Sequence, residues 1–87
     1  IKEVGAYYDV SVADILSKKR KKNIAYARQV AMFLTRELTG SSFPKIGEAF
    51  SGRDHTTIMH GCEKIEKELK ESDELKKAIS DLKQVLS

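Results

Sequence analysis

Cysteine, proline and tryptophan are almost missing from this chain, which has one Cys, one Pro and no Trp among its 87 residues. The single cysteine, Cys62, excludes an internal disulfide framework and fits a reducing compartment. The single proline, Pro44, leaves long stretches free to run as helix. Long apolar runs are missing too: the longest, Val30 to Leu34, has five residues, against roughly 18 or more for a membrane span. The opening Ile1-Lys2-Glu3-Val4 lacks the basic-then-apolar order of a secretory signal. A start without Met is expected of a piece cut from a longer protein. At this length the expectation is one domain over residues 1–87 with one core, burying about 60–65% of the unfolded surface. A binding module fits that size better than a large catalytic pocket.

Acid is absent from one place in particular. Residues 17–36 carry Lys18, Lys19, Arg20, Lys21, Lys22, Arg28 and Arg36 with no Asp or Glu, a local charge of +7 in a chain whose net charge is +3. Such a focus attracts polyanions, and each phosphate it neutralises releases counterions. The five-residue basic run alone fits a solvated loop or a nuclear-localisation-like patch equally well. The mixed charges after Glu63 read as an exposed helix face laced with i,i+4 pairs.

Nearly everything that remains scans at helical period, so the fold class expected is all-α with about six helices. A short helix covers Ile1 to Tyr8, with Val4 and Tyr7 or Tyr8 inward. Ser11 caps a second, with Asp14 three positions on. Ser17–Asn23 is the basic loop. A longer helix runs from Ile24 to about Thr39, with Ile24, Ala27, Ala31, Leu34 and Leu38 on its apolar stripe and Arg28, Met32 and Arg36 on its flank; Gly40 stops it. Ser42 caps the next helix, whose early Pro44 is tolerated because first-turn N–H groups lack internal partners. It ends at Ser51-Gly52. Asp54 then caps a helix reaching about Lys70, with Ile58, Cys62, Ile65 and Leu69 inward. A last helix after Ser72 turns Leu75, Ala78 or Ile79, Leu82 and Leu86 inward.

The pair spanning about 43–70, a short helix, a tight turn and a longer helix with a polar start, has the outline of a helix-turn-helix. Many helical hairpins share that outline and bind nothing. Its combination with an acid-free basic segment is harder to explain by coincidence.

Four blocks carry a resemblance. Gly52-Arg53-Asp54-His55-Thr56-Thr57-Ile58-Met59-His60, Val12 to Arg20, Ala27-Arg28-Gln29-Val30-Ala31-Met32 and Pro44-Lys45-Ile46-Gly47 stand in order and register. Through them the chain resembles, nearly end to end, the C-terminal DNA-binding domain of the bacterial replication-initiator family, DnaA. Two positions depart from the pattern: Ala27 stands where the family often has Pro, and Ser51 where it often has Gly. The resemblance implies a Trp-repressor-like helix-turn-helix that binds AT-rich boxes of the TTATNCACA type in duplex DNA at a replication origin. It also implies a bacterial cytoplasmic, nucleoid-associated setting and an ATPase module elsewhere in the parent protein. This chain has no G-x-x-x-x-G-K segment, so nucleotide hydrolysis is not assigned to it, nor is any enzymatic activity, cofactor or small-molecule substrate.

The expected division of labour follows from those positions. Asp54, His55 and Thr56 open the longer helix, the part a helix-turn-helix presents to base edges in the major groove. A carboxylate accepts from cytosine N4, and threonine methyls pack on thymine methyls. Asp54 is first an N-cap; base contact is an added role. Arg20 is assigned to the minor groove by its family position, where a narrow A·T groove favours a guanidinium. Lys22, Arg28, Gln29, Arg36 and Thr57 are assigned to the DNA backbone, with Lys45, Lys64 and the N–H groups at the Ser42–Lys45 helix start as weaker candidates. His55, His60 and Cys62 lack the spacing of a zinc site, and Cys62 on an inward stripe reads as a small hydrophobe. Tyr7, Tyr8 and Tyr26 read as packing groups rather than stacking platforms. The chain alone is expected to be monomeric, with acidic phospholipid or replication-protein contacts reached through the parent protein. The rival functions are a general helix-turn-helix transcriptional regulator and a basic adaptor for an acidic protein or membrane surface.

Overall fold

The computed structural model describes residues 1–86. Six α-helices follow one another: α1 (Lys2–Tyr8), α2 (Val12–Leu16), α3 (Lys22–Thr39), α4 (Phe43–Ala49), α5 (His55–Leu69) and α6 (Asp73–Leu86), with no strand among the described residues. The short-range signals set most boundaries. The Ser11 and Ser42 side chains accept the N–H groups of Asp14 (3.0 Å) and Lys45 (3.3 Å), and Asp54 accepts that of Thr56 (2.8 Å). Gly40, at φ +65°, ends α3. Burial then selects the inner faces. α3 is the central helix, packed most extensively on α5 and also on α1, α2 and α4, while α6 closes the far side against α1 and α5. The core gathers Val4, Ile15, Val30, Leu34, Phe50 and Ile58, each at most 2% exposed.

Several expectations shift. α3 begins at Lys22 rather than Ile24, because the buried Ile24 and Ala27 draw the preceding turn into the helix. The loop proper is therefore 17–21. The supposed outer flank of α3 faces inward, with Arg28 and Met32 buried and Arg36 half-buried. Leu38 and Leu86, expected inward, are 45% and 38% exposed, since both lie at helix ends beyond the last packed turn. Tyr8 rather than Tyr7 turns inward, joining Tyr26 edge-to-face with ring centroids 5.6 Å apart, and the Tyr26 hydroxyl donates to Glu68 Oε1 at 3.1 Å. Ala27 lies in the second turn of an uninterrupted helix.

Candidate nucleic-acid interface

The turn between α4 and α5 is shaped by one close approach. Arg53 N–H donates to the Gly47 carbonyl at 2.9 Å, which brings the Arg53 carbonyl so near Gly47 that a methyl group there would drive into its oxygen. Ser51, at φ +65°, takes the left-handed conformation that glycine adopts freely, and Gly52 follows at φ +73°. A glycine at position 51 would take this backbone without strain. Here the serine hydroxyl instead donates to the Leu16 carbonyl at 2.9 Å.

Three residues at the start of α5 form a small exposed network. Thr56 N–H and hydroxyl hold the Asp54 carboxyl below its ordinary range, and His55 Nδ1 lies 3.4 Å from Asp54 Oδ1. His55 Nε2 lies 3.5 Å from the Thr56 hydroxyl. Beside it, an open groove between α3 and α5 is lined by Gln29, Thr56, Thr57, His60, Gly61 and Lys64. Gly61 lies where α5 meets α3, and a Cβ there would make ordinary contacts, 3.5 Å from Gln29 Cγ and 3.4 Å from Met32 Sδ. Within the groove the buried Gln29 Oε1 has no hydrogen-bond partner, an acceptor left unmatched where polar groups are usually satisfied.

The basic loop is tied down from two sides. Arg28 reaches from α3 to three carbonyls, with Nε to Ile15 at 2.6 Å, Nη1 to Lys19 at 3.1 Å and Nη2 to Asp14 at 3.0 Å. Arg53 donates from the helix-turn-helix turn to the carbonyls of Ser17 and, at 2.9 Å, Phe50. The Lys19 ammonium pairs with Asp14 at 2.9 Å. Burial lowers the pKa of both guanidinium groups, and the Arg53 charge lowers that of Arg28 further. Arg20 thus follows a carbonyl held by Arg28 and precedes Lys21, whose carbonyl accepts Ala25 N–H at 2.8 Å in the first turn of α3. Its own side chain is exposed. Lys21 and Lys22 stand at the N-terminus of α3, which has no side-chain cap and no acid in its first turn. Bases there oppose the helix dipole, an arrangement that an anion would relieve.

The sequence-predicted residues therefore separate into groups. Gln29, Thr56, Thr57 and Lys64 share the groove, and Asp54 and His55 adjoin it. Arg20 and Lys22 lie in the loop and the helix start that follows it. Lys45 is exposed in the first turn of α4. Arg28 is corrected: at 7% exposure, with three bonds to carbonyls, it braces the loop from inside instead of projecting toward phosphate. Arg36 is likewise engaged, with its guanidinium 4.5 Å over the Phe43 ring and Nη1 donating to the Ser41 carbonyl. Cys62 is buried, and that burial pushes its thiol pKa up. Arg53 stands within the Gly52–His60 motif, where the sequence assigns it no task. The signal for Arg28 was present, since it lies four residues from the buried Ile24 and Met32 and so on their face of the helix. No short-range signal pointed to Arg53.

A short helix, a turn folded onto Gly47 and a longer helix with a polar exposed start define a helix-turn-helix domain. Comparison with known proteins makes the assignment particular. Residues 1–65 match the family described as bacterial dnaA protein helix-turn-helix. The chain is 53% identical over 87 residues to the chromosomal replication initiator protein DnaA of two strains of Lactobacillus delbrueckii subsp. bulgaricus, the match covering 99% of this chain. It spans 19% of the length of those relatives. The chain belongs to the bacterial DnaA helix-turn-helix family.

Proposed function

We propose that this domain binds duplex DNA sequence-specifically, at AT-rich boxes of the TTATNCACA type that mark a replication origin. In this reading the start of α5 enters the major groove, where Asp54, His55 and Thr56 meet base edges, and Arg20 enters the adjoining minor groove. Lys22, Gln29, Thr57, Lys64 and, at the periphery, Lys45 hold phosphates. The observation that carries the reading is the direct junction of its two halves: Ser51 and Arg53, in the turn before α5, bond to the carbonyls of Leu16 and Ser17 at the root of the basic loop. The uncapped, lysine-bearing start of α3 adds a phosphate site in the same loop-to-helix stretch. One copy of the domain is proposed to serve one such directional box.

No catalytic step falls to these residues. ATP binding belongs, in this reading, to the part of the longer relatives that this chain does not span, as do contacts with acidic phospholipid or other replication proteins. The setting proposed is the bacterial cytoplasm at the nucleoid. The test is a titration of box against shuffled duplex at several fixed salt concentrations. Thr56→Ala should cost about 1–3 kcal/mol on the box at particular base positions. Lys22→Ala should weaken both duplexes alike and reduce the salt slope by roughly one. Equal losses on both duplexes from both variants would refute the division between reading and holding. Site selection from random duplex that returns palindromic half-sites would favour the general regulator instead.

A further inference from the structure

We infer that Arg53, assisted by Ser51, is a positioning residue that fixes the basic loop against the start of α5, so that the two DNA-reading elements act as one unit. The inference rests on the two-element reading above and goes beyond it by naming what couples the elements. Arg53 lies one residue before the Asp54 cap of α5, and its own N–H is anchored on Gly47 at 2.9 Å. Its guanidinium bridges the carbonyls of Phe50, at the end of α4, and Ser17, at the head of the loop. Ser51 adds a second tie, from its hydroxyl to Leu16. These contacts cross 35 and 36 residues of sequence and meet the exposed carbonyl end of α2, where a cation also complements the helix dipole.

The loop's remaining anchors come from α3 and from the loop itself: Arg28 takes Asp14, Ile15 and Lys19, and Ser17 Oγ accepts Lys19 N–H at 3.1 Å. Arg28 therefore fixes the loop to the body of the domain, and Arg53 fixes it to the reading helix. A planar fork suits that bridge, because one guanidinium serves two carbonyls at a set angle where an ammonium offers a single point charge.

Two measurements on the 87-residue chain test the inference, one of them without DNA. In the free protein, Arg53→Ala should lower the backbone order parameters of Lys18 to Lys21 from the rigid range near about 0.85 toward about 0.6, while those of α3 and α5 hold. Unchanged loop order overturns the inference. On box DNA at fixed salt, with each variant shown folded by circular dichroism, Arg53→Ala should weaken binding about tenfold. That loss should largely vanish in an Arg20→Ala background and persist in a Thr56→Ala background, because coupled residues are non-additive and independent ones add. Full additivity with Arg20→Ala, or a salt slope that falls by about one when Arg53 is removed in that background, shows a direct phosphate contact or a general structural role and overturns the coupling. Arg20→Ala binding like wild type would instead defeat the two-element reading, and the coupling with it. Should Arg53→Ala fold poorly, Arg53→Lys keeps the charge and loses the fork, and Ser51→Ala removes only the Leu16 tie. Each is expected to shift loop order in the same direction by a smaller amount, and no shift from either overturns the inference.

Discussion

Replacing Arg28 with Met asks how much of the loop's shape depends on one buried guanidinium. The side chain makes three bonds, at 2.6, 3.1 and 3.0 Å. Bonds to a charged donor contribute about 1.5–3 kcal/mol each, but their sum overstates the loss. Removing the guanidinium also returns its desolvation cost of several kcal/mol and relieves its repulsion with Arg53. What decides the sign is the state of the three carbonyls left behind. Asp14 keeps the N–H and hydroxyl of Ser17 at 3.1 and 2.7 Å, and Lys19 is exposed, so water can reach its oxygen. Ile15, whose side chain is fully buried, loses the donor at its carbonyl. One orphaned buried carbonyl costs about 1–3 kcal/mol, so the expected loss is about 2 kcal/mol. That is survivable for a domain whose total stability is of order 0.05–0.15 kcal/mol per residue. The assay is urea unfolding followed by circular dichroism. With a slope near about 1 kcal/mol/M, the midpoint should fall by about 2 M, whereas Lys18→Met on the exposed loop should stay within about 0.5 kcal/mol of wild type. Arg28→Lys should recover less than half of the loss, because one ammonium cannot serve three separated carbonyls. A midpoint for Arg28→Met equal to that of the Lys18 control would refute the bracing role.

Gly47→Ala should destabilise by about 1–3 kcal/mol in the same assay, because the Arg53 backbone that its methyl would meet cannot step aside as a flexible side chain could. Ser51→Ala keeps the left-handed backbone and loses the Leu16 bond, for an expected cost of about 0.5–1.5 kcal/mol. Ser51→Gly loses the same bond and relieves about 1 kcal/mol of backbone strain, so it should lie near wild type and above Ser51→Ala; the reverse order would contradict the assignment. Alkaline titration should expose the tyrosine cluster. Burial first, then Tyr7, pushes Tyr8 up to about 12, and burial with the Glu68 bond raises Tyr26. Raised folded pKa values give a stabilisation fully present below the unfolded value near about 10 and lost as pH climbs through the folded ones. The melting temperature should therefore hold to about pH 10 and fall toward pH 12, and a Tyr8→Phe, Tyr26→Phe double variant should flatten that fall.

The caps and inner faces were legible because their causes are local: Ser11, Ser42 and Asp54 bond within three residues, and the stripes of α5 and α6 follow the period of one helix. The start of α3 was misplaced because no breaker stands between Arg20 and Ile24, and charge density alone does not tell a loop from a first helical turn. The bracing roles of Arg28 and Arg53 were hidden by distance, since their bonds to α2 and the basic loop span from 9 to 36 residues, beyond any periodic pattern. Family position supplied the assignment of Arg20, where composition offered five adjacent bases of equal claim.

The structure supplies a reason of its own for that choice. The chain has four arginines, Arg20, Arg28, Arg36 and Arg53. Three of them give their guanidinium groups to backbone carbonyls: Arg28 and Arg53 brace the loop, and Arg36 lies over Phe43 while bonding Ser41. Lysines of the acid-free segment stay exposed, as befits a strongly hydrated point charge that meets phosphate without fixed geometry. Arginine in this chain is thus the residue of directed bonds, and Arg20 breaks that habit. Among the described residues it is the one arginine whose fork takes no internal hydrogen bond, and it is carried on a backbone held at the carbonyl before it and at the start of α3 just after it. A planar fork, always charged, exposed on a rigid base and unmatched inside the protein, is what insertion into a narrow, negative groove requires. Arg20→Lys, which preserves charge and reach, should therefore lose much of the box preference while leaving the salt slope unchanged. Retention of full preference by that variant would reduce Arg20 to one more phosphate-facing base.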